Sequence, residues 1–149
     1  MLKYVALALV MGAIAFAAIV RVRPITPEPW HMRPADVVTQ GAAGRFAVTA
    51  GGDMEPVVAA LSMEQTLGIL KTRVEGTERT QLLAGALEDG FATYVTRSKL
   101  WGFPDVTRIA LTPVDGGVQI EMAARLIYGK ADLGVNEARV RDWLAPFAN

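Results

Sequence analysis

Residues 125–144 read R-L-I-Y-G-K-A-D-L-G-V-N-E-A-R-V-R-D-W-L, and this stretch decides the fold. It joins the end of a strand to a glycine-marked turn and the start of a helix. Just upstream, Val118, Ile120, Met122, Ala124 and Leu126 alternate with Gln119, Glu121 and Arg125. A period of two predicts a half-buried strand. Gly129 and Gly134 then interrupt it, as glycine does where the chain must turn. Asp132 and Asn136 both have the side-chain oxygen that caps a helix N-terminus. Beyond them Val140, Trp143, Leu144 and Phe147 recur at helical spacing, which predicts an amphipathic closing helix.

Working back from this stretch, Asp115-Gly116-Gly117 predicts a tight hairpin into the Val118 strand. Val106–Pro113, Phe91–Leu100, Gln81–Leu87 and Arg45–Ala50 are further strand candidates. Gly51-Gly52-Asp53 and Glu88-Asp89-Gly90 are turns, and Asp36–Gly44 reads as loop. Ser62-Met-Glu-Gln65 is a capping box, and Leu67, Ile69, Leu70 and Val74 supply the buried face of the helix it opens. The predicted fold is α+β: an antiparallel sheet of about four to five strands with helices on one face. A single N-terminal transmembrane helix precedes it.

That helix rests on Tyr4–Val20, an uncharged run at the short end of what spans a bilayer. Ala15-Phe16-Ala17 also offers a small-x-small signal-peptidase site. The apolar run continues past that site, so a retained anchor is the expectation. The chain therefore divides into an anchor or signal segment at 1–22, a proline-rich linker at 23–44 and one domain at 45–149. The linker is expected to be extended. Within it Trp30 has two readings, a lipid-interface anchor or an aromatic packed on the domain, and His31 is expected to be solvated.

Composition removes several function classes. Charges balance at 15 cationic and 15 acidic residues, so the basic face of a nucleic-acid binder is not expected. With no cysteine and one histidine, thiolate metal sites and a Ser-His-Asp triad lack raw material. No cofactor and no metal are expected, and Gly129 to Gly134 lacks the Lys-Ser/Thr of a phosphate loop.

The motif R-S-K-L-W-G-F-P-D at 97–105, together with Y-G-K-A-D-L-G-V-N-E-A-R-V at 128–140, resembles a bacterial and plastid family called domain of unknown function 1499. The family pattern is an Arg/Ser-rich strand followed by G-x-S-D-x-G-x-N-x-x-R-[IV]. Gly129, Asp132, Gly134, Asn136 and Arg139 match it. Ala131 stands where the family usually has Ser, and Ala123, Ala124 and Ile127 replace much of the Arg/Ser-rich strand. The resemblance covers the chain from the helix near Ser62 onward. It implies an exported or anchored protein and carries over no established activity.

The candidate interaction surface is Arg97, Trp101, Phe103, Asp105, Arg125, Lys130, Asp132, Asn136 and Arg139. The guanidinium forks suit an anionic group or a partner's carboxylate. The competing reading is structural, with Asp105 and Asp132 capping turns and pairing with the cations. The loop Trp101–Pro104 is a contact surface, a lip dipping toward the membrane, or a corner packed into the core. The expected function is a membrane-tethered, non-enzymatic interaction domain or accessory subunit. It would sit in the bacterial inner membrane as a single-pass protein, with the domain periplasmic and a membrane protein as possible partner. Arg21 and Arg23, just past the span, favour the cytoplasmic side by the positive-inside rule. The alternative function is a small-ligand or lipid-binding domain of helix-grip type, with an apolar cavity beneath the Asn136–Phe147 helix.

Overall fold

The computed structural model describes residues 1–37 and 43–148. Among the described residues, three α-helices, α1 (Leu2–Val22), α2 (Met63–Glu75) and α3 (Val135–Leu144), flank six strands. These are β1 (Arg45–Val48), β2 (Val57–Ala59), β3 (Thr80–Ala86), β4 (Phe91–Arg97), β5 (Pro104–Val114) and β6 (Gly117–Leu126). They form one sheet in the order β1-β6-β5-β4-β3, and β2 pairs along β6 beside β1. Every named pair is antiparallel. At three residues, β2 is too short to leave a periodic signal and escapes sequence reading.

The β5–β6 hairpin turns through Asp115 and Gly116, with Val114 opposite Gly117. Its register places Ile109, Leu111, Ile120, Met122 and Ala124 on the face covered by α2 and α3, and all five are buried. Val140, Trp143, Leu144 and Phe147 of the closing segment are buried against the same core. Trp143 Nε1 donates to Thr77 Oγ1 at 2.8 Å, which ties α3 to the end of α2. Burying the indole therefore leaves no polar atom unsatisfied. The helix stops at Leu144 because Pro146 has no N–H, and a 3₁₀ turn over Ala145–Phe147 finishes it.

Several local expectations need correction. The capping box of α2 is formed on both sides, Ser62 with Gln65. Its buried stripe, however, is Thr66, Leu70 and Val74, while Ile69 is 37% exposed. The stripe follows i, i+4, i+8, which turns position 69 toward solvent. Asn136 does not cap α3; it lies inside the first turn, and Gly134 is the N-cap residue. The β4 strand ends at Arg97 rather than Leu100, because Ser98 closes a turn. Asp36 and Val37, the start of the expected loop, lie in a 3₁₀ turn (Pro34–Val37), and residues 38–42 of that loop lie outside the described residues.

The second face of the sheet is covered by the proline-rich segment. A turn at Pro27–His31 lays Trp30 and His31 across it. The His31 ring stacks on Phe91 at 4.3 Å, and its Nδ1 is 2.8 Å from Thr93 Oγ1. His31 is thus a packed residue and not a solvated one. Arg108, only 1% exposed, donates from Nε to the Trp30 carbonyl. The guanidinium of Arg125 lies 5.0 Å from the centre of the Trp30 ring. That contact is worth about 0.5–1 kcal/mol, and Trp30 is packed on the sheet.

α1 is long and apolar enough to cross a membrane. At 1.5 Å per residue its 21 residues rise about 31 Å, close to the thickness of a bilayer's hydrocarbon core.

Candidate functional site

The loop after β4 (Ser98–Phe103) and the loop after β6 (Ile127–Gly134) come to the same end of the sheet. Ser98 shapes the first loop: its Oγ accepts from Phe103 N at 3.0 Å, and its N–H donates to the Phe103 carbonyl at 2.8 Å. The second loop begins beside it, with Ile127 N–H on the Pro104 carbonyl at 3.1 Å. Phe103 bridges the two: its ring is 6.5 Å from that of Tyr128 and 6.1 Å from that of Phe16 in α1, the latter edge-on. Two stretches separated by a whole hairpin thus meet where the apolar helix ends.

Two arginines hold that helix against the domain. Arg21 Nη2 donates to the carbonyls of Lys99 at 2.9 Å and Leu100 at 2.6 Å. Arg97 answers from the domain, with Nη1 on Val20 O at 2.9 Å and on Gly102 O at 3.1 Å, and Nη2 on Arg23 O at 3.1 Å. The carbonyls near the end of α1 have no intrahelical partner, so guanidinium donors are well suited to them. Gly102 makes the close approach feasible: its φ is +74°, and a Cβ there would lie 2.3 Å from Arg21 Cγ. Trp101 and Leu100 remain 38% and 71% exposed beside α1. With Val10, Ala13, Ile14 and Ala17 they line an apolar groove of about 470 Å³.

A second constellation lies under α3. Arg139 Nη2 meets Asp105 Oδ2 at 3.0 Å, and Nη1 donates to Asn136 Oδ1 at 2.9 Å. The two charged side chains are only 10% and 15% exposed. Burial raises the Asp105 carboxyl above its ordinary pKa, the Arg139 bond and charge pull it down, and Asp132 adds to the rise. Burial thus outweighs the ion pair. Asn136 is fully buried, and its Nδ2 has no partner among the described residues. Asp132 accepts from Gly134 N at 3.2 Å and from Asn136 N at 2.7 Å, so it satisfies the orphan donors of α3 from two residues before the N-cap. Arg139 is therefore paired with Asp105, and Asp132 caps the start of α3.

The nine candidate residues thus do not form one patch. Arg97, Trp101 and Phe103 gather at the helix exit. Asp105, Asp132, Asn136 and Arg139 serve α3, and Lys130 is exposed in the loop between these groups. Arg125 points to the opposite face of the sheet, beneath Trp30, because odd-numbered residues of β6 face away from α3. Loop 128–134 carries one more feature: Leu133 has φ +55° and is 97% exposed. A left-handed leucine costs roughly 1–2 kcal/mol, and such strain is found at functional sites more than elsewhere.

Sequence reading missed three contributors. Arg21 looked like a topology signal and is a clamp. Arg79 sits at φ +59°, and its Nε donates to Arg97 O at 3.2 Å. Arg108 interrupts the apolar run V-T-R-I-A-L of β5, a signal that a buried charge needed an explanation. Its guanidinium pKa is lowered to about 10 by burial first, then by Arg125 and Arg45. Among the described residues, no group of three or more His, Cys, Asp or Glu could hold a metal ion.

No curated protein and no solved structure matches the chain. A family match does exist, and it runs from residue 27 to residue 147. It begins well before Ser62, at the segment that covers the second sheet face. On that match, the chain belongs to the family described as Protein of unknown function (DUF1499).

Proposed function

We propose that the chain is a membrane-tethered, non-enzymatic interaction domain that works on a neighbouring membrane protein from a fixed pose against the bilayer. One observation carries this reading: the Arg21–Arg97 clamp joins the apolar helix to the loop that presents Leu100 and Trp101. A domain on a free linker would sample all orientations. This one keeps loops 98–103 and 127–134 at the membrane end, with Trp101, Tyr128 and Leu133 exposed there. Exposed apolar residues grouped at one end suit a protein or membrane contact. We place the anchor in the bacterial inner membrane and the domain on the periplasmic side. The family resemblance supports that orientation, and the arginines beside the span oppose it.

The helix-grip reading receives less support. Val140 and Trp143 are wholly buried against Leu70, Val74 and Ile120, so side chains occupy the space beneath α3.

The test is a photo-crosslinking amino acid at position 101 of the full chain in intact cells, alone and with Arg97→Ala. A discrete protein adduct that Arg97→Ala abolishes supports the reading. Adducts to lipid alone, with the domain folded, overturn the partner. Protease digestion of the domain from outside spheroplasts, with Met1 intact by mass, supports the orientation and the anchor. Protection would put the domain on the cytoplasmic side.

A further inference from the structure

We propose that the junction between α1 and the sheet binds one anionic glycerophospholipid, with its phosphate among Arg21, Arg79 and Arg97 and one acyl chain along the Trp101 groove. The inference rests on the retained anchor of the preceding reading and names a ligand for the same junction.

The basic part is a cavity of about 300 Å³ lined by Arg21, Arg79, Gln81, Arg97, Ser98 and Gly102. A neighbouring cavity of about 290 Å³ shares Arg21, Gln81 and Arg97 and adds Arg23. Among the described residues, neither lining includes an acidic one. One carboxylate does reach the cluster: Glu78 Oε2 lies 2.5 Å from Arg79 Nη1, but that side chain is 80% exposed. A pair so exposed is weakly held and readily exchanged for a better anion. Among the described residues, Arg21 donates through Nη2, and Arg79 through Nε and Nη1. Each guanidinium carries five N–H donors, so Arg21 and Arg79 have further donors to offer an anion in the cavity they line. Guanidinium forks bind phosphate oxygens in pairs, which makes this donor set suited to a phosphate ester. Arg79 has the left-handed backbone noted above, a strain that needs a reason.

The position selects a lipid over a soluble phosphate. Arg21 stands in the last turn of α1, where a bilayer's headgroup region begins if the helix spans it. Arg21 also lines the apolar groove of Val10, Ile14, Ala17, Leu100 and Trp101. The groove and the basic cavity thus share one residue, with apolar surface on the membrane side and guanidinium groups beyond it. Neighbouring acyl and phosphate sites of that polarity fit one molecule with an acyl tail and an anionic head.

The full chain would be reconstituted in nanodiscs of equimolar phosphatidylcholine and phosphatidylglycerol, released, and weighed by native mass spectrometry. The expected wild-type result is a retained phosphatidylglycerol, enriched roughly tenfold over phosphatidylcholine. Arg79→Asn keeps a residue that tolerates positive φ and removes the charge; it is expected to abolish the enrichment with an unchanged melting temperature. Trp101→Ala is expected to weaken retention of both lipids. Equal retention of the two lipids by the wild type overturns the proposal, as does enrichment that survives Arg79→Asn. Inorganic phosphate that stabilises the detergent-solubilised chain as well as phosphatidylglycerol does overturns the lipid in favour of a soluble anion. An N-terminus missing α1 would overturn the tethered reading and this one together. An intact Met1 without lipid preference would overturn this one alone.

Discussion

Replacing Arg139 with Ala should expose how α3 is held. The change removes a 3.0 Å ion pair whose side chains are 10% and 15% exposed, and it orphans Asn136 Oδ1 as well. A hydrogen bond to a charged group contributes about 1.5–3 kcal/mol. Removing one partner of a buried pair costs about 3–5 kcal/mol, because the remaining charge stays uncompensated. The residual exposure of Asp105 favours the low end, so the expected loss is about 3 kcal/mol at neutral pH. For a domain of this size that is a fall in melting temperature of roughly 10 °C.

The loss should also depend on pH. In the variant both influences that lower the Asp105 pKa are gone, and burial and Asp132 still raise it. The folded state then binds a proton over a range where the unfolded state does not, so its stability falls as pH rises through that range. Conversely, the penalty should shrink as pH is lowered from 7 toward about 5. Circular dichroism melts of the full chain in detergent, across pH, measure this. Adding Asp105→Asn should flatten the pH dependence. A penalty independent of pH, or a melt close to wild type at neutral pH, would refute the buried-pair argument.

Asp132→Ala strips the acceptor from two orphan donors of α3 and should cost about 1 kcal/mol, whereas Asp132→Ser should retain part of it; denaturant titration separates the two. His31→Ala removes the Phe91 stack and the Thr93 hydrogen bond, with an expected loss of about 1–2 kcal/mol, and a wild-type melt would mean the segment does not hold the sheet face. Gly117→Ala would set a Cβ 1.9 Å from Ala59 O at φ +152°, so β2 must detach; a loss above roughly 3 kcal/mol is expected, and hydrogen exchange at Val57–Ala59 would report the detachment.

Much of this architecture is local and could be read from the chain. The alternation of Val118 to Ala124 fixed the face of β6, and the stripe Val140, Trp143, Leu144 fixed the buried side of α3. The Ser62–Gln65 box started α2, and Asp115-Gly116 joined the central hairpin. Each depends on neighbours a few residues apart, where backbone geometry sets what meets what. The uncharged run before Arg21 marked the apolar helix for the same reason. The partners of side chains over long separations were not legible. Arg97, a member of the candidate interaction surface, reaches back 77 residues to Val20, while Arg108 reaches 78 residues to Trp30. Arg125 and Arg139 looked like members of one patch, yet strand parity sends one beneath Trp30 and α3 takes the other to Asp105. The proline-rich segment carries no period, so only the closed fold could show that it covers a sheet face. Sequence by itself determined the longer elements and most of their buried sides, because those follow from backbone periodicity, which a three-residue strand such as β2 is too short to show. Tertiary structure decided which charges are paired, which are buried and which loops share an end, because these depend on chain closure.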